Sequence, residues 1–210
     1  MSETQTEEYI VATSVKNPKR VEKRRAEIID AAVKIFSEKG YHATTTKEIA
    51  EAAGMNVGTM FQYVKTKQDI LYLVCCHIHS LIEKALYAAT SENSTPLEAI
   101  KKDMTALFEI VDQVSDYVVL MYQETASLDK EARRSFLQRE QRLRNHLEKQ
   151  IQRGIDSGVF KISQESVFLI ADDILVQSQM WAFRRWSLTN KFTIEKYIAT
   201  RSELLETLLT

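Results

Sequence analysis

The chain has 210 residues, of which 44% are apolar and 27% charged, with only five Gly and two Pro. This composition is too apolar for a disordered linker and too polar for a membrane protein. Gly and Pro are also too rare for the many chain reversals of a β-sandwich or barrel. We therefore expect an all-α fold, with one main body and a small module attached.

The charge of the chain is unevenly distributed. The formal net charge of −1 argues against a protein that binds polyanions with its whole surface. Residues 16–70, however, hold eleven Lys and Arg against seven Asp and Glu, a local excess of +4, and the rest of the chain sums to −5. A basic N-terminal module on an acidic body is compatible with nucleic-acid binding.

The cysteines indicate the compartment. Cys75 and Cys76 are adjacent and cannot link distant segments, and no hydrophobic stretch approaches a signal sequence or a membrane span of about 20 residues. A cytoplasmic protein that does not contact membranes is expected. Cys75 and His79 share a helical face, but two ligands are fewer than a zinc site needs, so we expect no metal and assign this stretch, with His77, to helix packing.

The N-terminal third predicts a flexible tail over residues 1–17 and three helices over residues 18–66. The first helix begins at Pro18 and ends at Gly40, a residue suited to a left-handed C-cap. Thr45 and Glu48 form a capping box for a second, short helix. Gly54 then permits a sharp reversal before a third helix, whose N-cap is Asn56.

Residues 67–210 predict a second helical domain. A long helix over residues 67–89 carries a continuous apolar stripe and could join the two modules as a lever. Thr95, Pro96 and Glu98 give a strong start signal for the next helix. In total the patterns predict about nine helices and no strand.

The short second and third helices fit a helix-turn-helix, although their geometry alone leaves open a purely structural helical hairpin. The residue pattern is more specific. Over about residues 24–72 the chain resembles the DNA-binding domain of the TetR (tetracycline-repressor) family of bacterial transcriptional regulators, on these residues: Ala31, Ala32, Ile35, Phe36, Gly40, Tyr41, Thr44, Thr45, Ile49, Ala50, Ala53, Gly54, Gly58, Thr59, Met60, Phe61, Gln62, Tyr63, Val64, Lys67, Ile70 and Leu71.

The resemblance implies a set of residues that face DNA. The Gln62 amide could read adenine, Gly58 would let the backbone approach the groove, and Lys67 could engage phosphate. Tyr63 could instead pack on the core. The complete candidate DNA-binding set is Thr44, Thr45, Lys47, Asn56, Val57, Gly58, Thr59, Phe61, Gln62, Tyr63 and Lys67.

Two residues depart from the family pattern, and one basic stretch has two interpretations. The family usually has Tyr where this chain has Phe61, so a hydrogen bond to phosphate is lost there. It usually has Phe where this chain has Val64, which leaves a smaller core residue. The basic residues over 16–25 are either a solvated helix start or direct phosphate contacts.

The resemblance gives the second domain two roles, dimerisation and effector binding. In the family the last two helices form the interface of a homodimer, here about residues 164–183 and 193–208. Such a dimer places two recognition helices on a pseudo-palindromic site in double-stranded DNA. The candidate interface residues, which could equally form intramolecular core, are Tyr197, Leu204, Leu205 and Leu208.

The segment around Arg184 and Arg185 suggests an effector class. Aromatic and guanidinium groups alternate there, which fits either packing at the dimer surface or an arginine that pairs with an anionic group. The segment is similar to the C-terminal parts of family members whose effectors are acyl-CoA thioesters. The candidate pocket, which could also be plain core, comprises Met104, Phe108, Tyr117, Met121, Tyr122, Phe168, Trp181, Arg184 and Arg185.

The sequence indicates a regulator rather than an enzyme. The sequence has no Gly-rich phosphate loop, nucleophile elbow or zincin motif, so we expect no enzyme, no catalytic residues and no cofactor. We predict a homodimeric repressor that a small, largely apolar effector releases from DNA. Two alternatives stay open: a multidrug- or redox-responsive repressor of the same fold, and a helical binding module without DNA recognition.

Overall fold

The computed structural model describes residues 9–89 and 94–210, and within these ranges it is all-α, as predicted. One helix more than expected is present, because a short helix follows the eighth. The helices are α1 (Pro18–Lys39), α2 (Thr46–Ala52), α3 (Val57–Met60), α4 (Lys67–Ala89), α5 (Pro96–Gln113), α6 (Ser115–Glu124), α7 (Lys130–Asp156), α8 (Ser166–Phe183), α9 (Arg185–Leu188) and α10 (Ile194–Leu209), with a 3₁₀ turn at Thr125–Ser127.

The described residues divide into two units by their contacts. The first contains residues 9–78 and Val119–Gln138, and the second contains residues 79–89, 94–118 and Arg139–Thr210. The sequence places the boundary between residues 66 and 67. The first unit therefore includes more than the three predicted helices, because the beginning of α4 and residues from α6 and α7 pack with them.

The predicted helix-turn-helix is present in the first unit, and local hydrogen bonds explain it. Thr45 and Glu48 form the capping box at α2, with the Thr45 amide donating to Glu48 Oε2 over 2.8 Å. Gly54 adopts φ +67°, a left-handed conformation that favours glycine, at the turn between α2 and α3. The Asn56 side chain then accepts a hydrogen bond from the Thr59 amide over 2.7 Å at the start of α3.

Close packing of small and branched side chains holds these helices together. Ile28, Ala32, Phe36 and Ile49 are buried, as the sequence predicts, and Ala53 is half-buried. Alanine at a helix contact permits a close approach of the two backbones. The orientation of α3 therefore depends on the core that α1 and α2 provide.

The predicted flexible tail is partly wrong. Residues 1–8 lie outside the described residues, but residues 9–17 contact the rest of the first unit. The Tyr9 hydroxyl donates to Asp69 Oδ1 over 2.8 Å, and the side chain of Val11 is buried. The polar composition of this segment indicates a solvated tail. The hydrogen bonds that hold it, to α4 and to the end of α3, connect residues distant in the chain, so no sequence pattern reveals them.

The second unit has a core of aromatic and aliphatic side chains between α5, α8 and α10. The Tyr197 ring lies 5.0 Å from the Trp181 ring and 5.5 Å from the Phe108 ring, centroid to centroid. The predicted start signal for α5 is confirmed, since Thr95 and Glu98 form a capping box with Pro96 in the first turn. Long apolar stripes thus pack against each other rather than against solvent.

Helix α4 is more apolar than expected. Among the described residues it is the one helix long and apolar enough, by length and composition, to cross a membrane. The expectation that no segment approaches this limit is therefore wrong. Half of its most apolar window is buried inside the fold, which is also what the core helix of a globular protein shows.

Candidate nucleic-acid interface

The helix-turn-helix presents a polar surface formed by the N-terminal ends of α2 and α3. The exposed residues of the predicted DNA-binding set are Thr45, Lys47, Asn56 and Gly58 at these ends, and Gln62 just beyond the C-terminal end of α3. Lys47 and Glu51 form only a loose surface pair, with 3.8 Å between Nζ and Oε1, so Lys47 keeps its charge available at the surface. Helix N-terminal ends and exposed cations favour phosphate.

Further residues of α3 and its C-cap are partly accessible at this surface. Val57, Thr59 and Phe61 are half-buried, so each presents only part of its side chain. At Gly58 a Cβ would meet nothing closer than the Asn56 side chain at 3.5 Å, so its missing side chain leaves open space. That space allows another backbone to approach α3 closely.

Two of the predicted DNA-binding residues have buried side chains. Thr44 is buried, and its hydroxyl donates to the Gly40 carbonyl over 2.8 Å. The Tyr63 side chain has an exposed fraction of 0%. This burial agrees with the alternative interpretation, in which the Tyr63 ring packs in the core.

Lys67 lies half-buried at the start of α4. Its Nζ is 4.3 Å from the centroid of the Tyr41 ring and 3.3 Å from the His42 carbonyl oxygen, to which it donates. Burial lowers the pKa of Lys67. A cation held by a ring and a carbonyl has a fixed position, which suits it to engage one phosphate.

The basic start of α1 contains exposed cations and one inward-pointing arginine, and the choice between a solvated helix start and phosphate contacts stays a prediction. Lys16, Lys19, Arg20 and Lys23 are exposed. Arg25 instead points inward, and its half-buried guanidinium donates to the carbonyls of Tyr63 and Val11 over 3.0 and 2.6 Å. Sequence reasoning assigned Arg25 only to the basic stretch, since nothing local distinguishes it from its neighbours.

The predicted effector residues do not form one pocket. Met104 and Phe108 line a cavity of about 100 Å³ in the second unit, between α5, α8 and α10. Tyr117 instead lines a polar groove. Met121, which is buried, and Tyr122, which is exposed, belong to the first unit. The apolar periodicity that grouped these residues reflects core packing in two different units.

Phe168 and Trp181 are also outside the cavity of Met104 and Phe108. Phe168 is exposed, and the Arg144 guanidinium carbon lies 4.6 Å from the centroid of its ring. Trp181 is buried, and its indole Nε1 donates to Asp112 Oδ1 over 2.7 Å. Their assignment to the effector pocket is therefore not supported by the cavity.

The two arginines after α8 differ in their surroundings. The Arg185 guanidinium donates to Asp112 Oδ1 and to the Ser115 hydroxyl, each over 2.7 Å. The Arg184 guanidinium carbon lies 5.1 Å from the centroid of the exposed Trp186 ring. A carboxylate already neutralises Arg185, so Arg184 is the better placed of the two for an external anion.

The four predicted interface residues divide into two pairs. Tyr197 and Leu205 are buried inside the second unit, as the intramolecular alternative requires. Leu204 and Leu208 are each 56% exposed on α10. Exposed apolar side chains also occur on α8, at Phe168, Leu169 and Val176.

Sequence reasoning missed two polar pairs in the second unit, each with one buried member, Asp103 or His79. Asp103 Oδ2 lies 2.8 Å from His146 Nε2, and His79 Nε2 lies 3.6 Å from Glu140 Oε1. Burial, with smaller contributions from Arg139 and Arg142, lowers the pKa of His79 to about 4. Burial raises the pKa of Glu140 to about 7. The partners lie far apart in the chain, so no local pattern pairs them.

The cysteines lie within the fold. Cys75 is buried, Cys76 is half-buried, and neither forms a disulfide. Burial raises the pKa of the Cys75 thiol far above its usual range. Over residues 9–89 and 94–210 no group of three His, Cys, Asp or Glu side chains is arranged to hold a metal ion.

The three-helix module with its exposed α3 defines a DNA-binding protein of the helix-turn-helix class. Two family models match the chain. One, described as bacterial regulatory proteins of the tetR family, matches residues 28–72, and one described as a tetracyclin repressor-like C-terminal domain matches residues 93–182. The chain belongs to the TetR family of transcriptional regulators.

Individual relatives agree with this assignment. The chain is 31% identical over 188 residues to the HTH-type transcriptional regulator HbdR of Aromatoleum sp. (strain CIB), covering 90% of this chain and 81% of the relative. The fold is similar to a tetR-family protein from Rhodococcus RHA1, with a TM-score of 0.79, 23% identity, and 89% and 97% of the two chains covered. As a member of this family of transcriptional regulators, the chain is a regulator and not an enzyme.

A further solved structure is that of AibR in complex with isovaleryl coenzyme A and operator DNA. It matches with a TM-score of 0.75 and 19% identity, over 89% of this chain and the full length of AibR. At this identity the likeness shows the fold.

Proposed function

We propose that this regulator is a cytoplasmic homodimeric repressor that an acyl-CoA thioester releases from a pseudo-palindromic operator. The observation that carries the proposal is the exposed polar surface of α2 and α3, where Lys47 and Gln62 project from a buried three-helix core. Lys47 supplies a phosphate contact that is independent of sequence. Gln62 supplies an amide able to pair with the two major-groove atoms of adenine.

The other residues of this surface have two proposed roles: some contact phosphates and position the module, and others face the bases. Thr45 and Lys67 hold the module against the phosphates, through a helix N-terminal end and a cation of fixed position. The open space at Gly58 is flanked in the chain by the other candidate reading residues, Asn56, Val57, Thr59 and Phe61. Phe61 makes an apolar contact, such as one with a thymine methyl group, because it lacks the hydroxyl that would reach a phosphate.

Dimerisation is the second part of the proposal. Leu204 and Leu208 on α10, with Phe168, Leu169 and Val176 on α8, expose apolar side chains in the second unit. Exposed apolar residues on two helices of one unit suit a four-helix contact with a second copy. A two-fold dimer presents two recognition helices to two half-sites of one operator.

The effector class is the third part. The AibR complex supports it, because a protein of this fold binds an acyl-CoA. In this chain Met104 and Phe108 line a cavity of about 100 Å³, which also has Asp173 and Arg201 in its lining, and we propose that it takes the acyl group. Arg184 supplies a surface cation for an anionic group.

The mechanism follows from linkage. An effector shifts the protein from its DNA-binding arrangement only if it binds another arrangement more tightly, because equal affinity for both shifts nothing. Helix α4 contributes residues to both units and is the element we propose as the lever.

The redox alternative is less favoured by the surroundings of the cysteines. Cys75 is buried and its pKa is raised, whereas a redox-sensing cysteine needs an accessible thiolate. A cationic drug effector would need acidic groups in its pocket. Asp173 lines the cavity of Met104 and Phe108, but Arg201 lines it as well.

The test uses a duplex that the purified protein selects from a random library. Release of this duplex is followed by fluorescence anisotropy while acetyl-CoA, isovaleryl-CoA, octanoyl-CoA or palmitoyl-CoA is added. Coenzyme A, the free acids, a cationic dye and an oxidant are added in parallel. The proposal predicts release by one or more thioesters only, and release by the dye or by oxidation alone would contradict the effector class.

A further inference from the structure

The segment from Tyr9 to Ser14, which we call the strap, lies outside the helix-turn-helix and contacts it at its functional end. Three donors of the strap converge on one carbonyl oxygen, that of Gln62. The Thr13 hydroxyl lies 2.8 Å from it, the Ser14 amide 2.9 Å and the Ser14 hydroxyl 3.2 Å. Gln62 lies just beyond the end of α3, where helix carbonyls have no partner within the helix.

Arg25 joins the strap to the same turn. Its guanidinium donates through Nε to the Tyr63 carbonyl and through a terminal nitrogen to the Val11 carbonyl, over 3.0 and 2.6 Å. Val11 is buried, so the strap is held by packing as well as by hydrogen bonds. The carbonyls of Gln62 and Tyr63 are therefore fixed from two sides.

The other end of the strap is anchored on the long helices of the first unit. Tyr9 donates its hydroxyl to Asp69 Oδ1 over 2.8 Å and its amide to the Ser135 hydroxyl over 3.1 Å. Asp69 Oδ2 also accepts from the amide of Lys65 over 2.8 Å, immediately before α4. The Tyr9 ring packs edge-on against Tyr72, with 4.8 Å between centroids.

We propose that the strap is a positioning element for operator reading, which fixes the main chain of Gln62 so that its exposed amide meets the base edge in one orientation. The inference rests on the proposed function. A side chain reads a base only if its backbone is held to within a fraction of an ångström, and positions on turns need such support from neighbouring groups. The strap supplies that support at the residue whose side chain faces outward.

A positioning role of the strap predicts a result that a purely stabilising role does not. Loss of its hydrogen bonds should reduce the discrimination between the selected duplex and a duplex with one adenine pair of the half-site replaced. The phosphate contacts of Lys47 and Lys67 are unchanged, so the slope of log affinity against log salt should stay the same. Loss of global stability, in contrast, would lower binding to every duplex alike.

The experiment compares the full-length protein with the variants T13V/S14A and Y9F, and with R25M as a stronger change. I10S is the matched control, because the Ile10 side chain belongs to the same segment and is 83% exposed. T13V/S14A removes both hydroxyl donors but keeps the Ser14 amide donor, so affinity for the library-selected duplex should fall about fivefold to tenfold. I10S should bind as the native protein does, and thermal unfolding shows whether R25M is folded.

A double-mutant cycle with Gln62→Ala decides whether the strap acts through Gln62. In the Q62A background T13V/S14A should cost no further affinity for the selected duplex, because the reading group is already absent. Additive losses, or variants that discriminate duplexes as well as the native protein, would overturn the proposal. If the native protein itself selects no sequence, the proposed function fails, and that result is distinct from a failure of the strap.

Discussion

The indole nitrogen of Trp181 on α8 donates to the carboxylate of Asp112 near the end of α5, with 2.7 Å between Nε1 and Oδ1. The same oxygen accepts from Arg185, also over 2.7 Å, so one carboxylate serves a buried indole and a surface guanidinium. Trp181 and Arg185, two members of the aromatic and arginine residues near the C-terminal end of α8, thus have a structural role: both bind the same carboxylate of α5. This arrangement also leaves Arg184, rather than Arg185, for an external anion.

Replacing Asp112 should destabilise the protein in a graded way. Asp112→Ala leaves the buried Trp181 N–H without its acceptor and should cost about 1–3 kcal/mol of unfolding free energy. Asp112→Asn keeps an acceptor and loses only the charge, so it should cost less. Urea unfolding measures both, with Asp116→Ala as the exposed control near the same groove. Equal unfolding free energies for native protein and D112A would contradict this role.

The buried His79 should make stability depend on pH. Its pKa is lowered to about 4 from an ordinary value of 6.5, so the folded protein prefers the neutral ring. Between pH 6.5 and 4 the unfolded chain binds a proton on His79 that the folded protein does not. The free energy of unfolding is therefore unaffected by His79 above pH 6.5 and falls as pH drops toward 4, by at most about 1.4 kcal/mol per pH unit.

Urea unfolding of the native protein and of His79→Gln between pH 4 and 8 checks this expectation. The difference in unfolding free energy between the native protein and H79Q should change below pH 6.5 and be constant above it. His77→Gln, on the same helix but exposed, should run parallel to the native protein. A constant offset between native protein and H79Q over the whole range would show that His79 does not titrate as expected.

The exposed leucines of α10 test the proposed dimer. Leu204 and Leu208 are each 56% exposed, so L204R/L208R changes no buried core residue but places two cations in the interface. The variant should be monomeric in sedimentation velocity while the native protein is dimeric, since unpaired buried charges cost several kcal/mol. Leu137→Arg is the matched control, because Leu137 is 53% exposed in the first unit. A dimeric double variant would place the interface elsewhere.

The recognition surface predicts two distinct binding defects. Gln62→Ala should cost about 1–3 kcal/mol on the selected duplex and relax the preference at one base pair. Lys47→Ala should weaken binding to all duplexes and lower the magnitude of the salt slope by about 1. Anisotropy titrations at several salt concentrations separate the two, with Lys191→Ala in the second unit as the control. If Q62A kept the native base preference, Gln62 would not be the reading residue.

The sequence predicted local structure well because its signals are local. The capping boxes at Thr45 and Thr95, the N-cap at Asn56 and the reversal at Gly54 each depend on residues within four positions. The motif that identified the family is likewise contiguous. Fold class and the position of the recognition helix therefore followed from the sequence.

Contacts between distant segments could not be predicted in this way. Tyr63 and Gln62 are neighbours, yet Tyr63 is buried while Gln62 is exposed, and no local pattern distinguishes them. The strap looked like a solvated tail because its partners Asp69 and Ser135 lie far away in the chain. The effector residues were grouped by apolar periodicity, which is the same for a pocket and for a core.

The central claim is that this chain reads a specific operator through α3. The most direct measurement is the affinity of the native protein for its library-selected duplex and for a shuffled duplex of equal composition, at two salt concentrations. The account predicts that the selected duplex binds at least about 10³-fold more tightly, with affinity for both falling as salt rises. Equal affinity for the two duplexes would contradict it and favour a helical module that does not recognise DNA sequence.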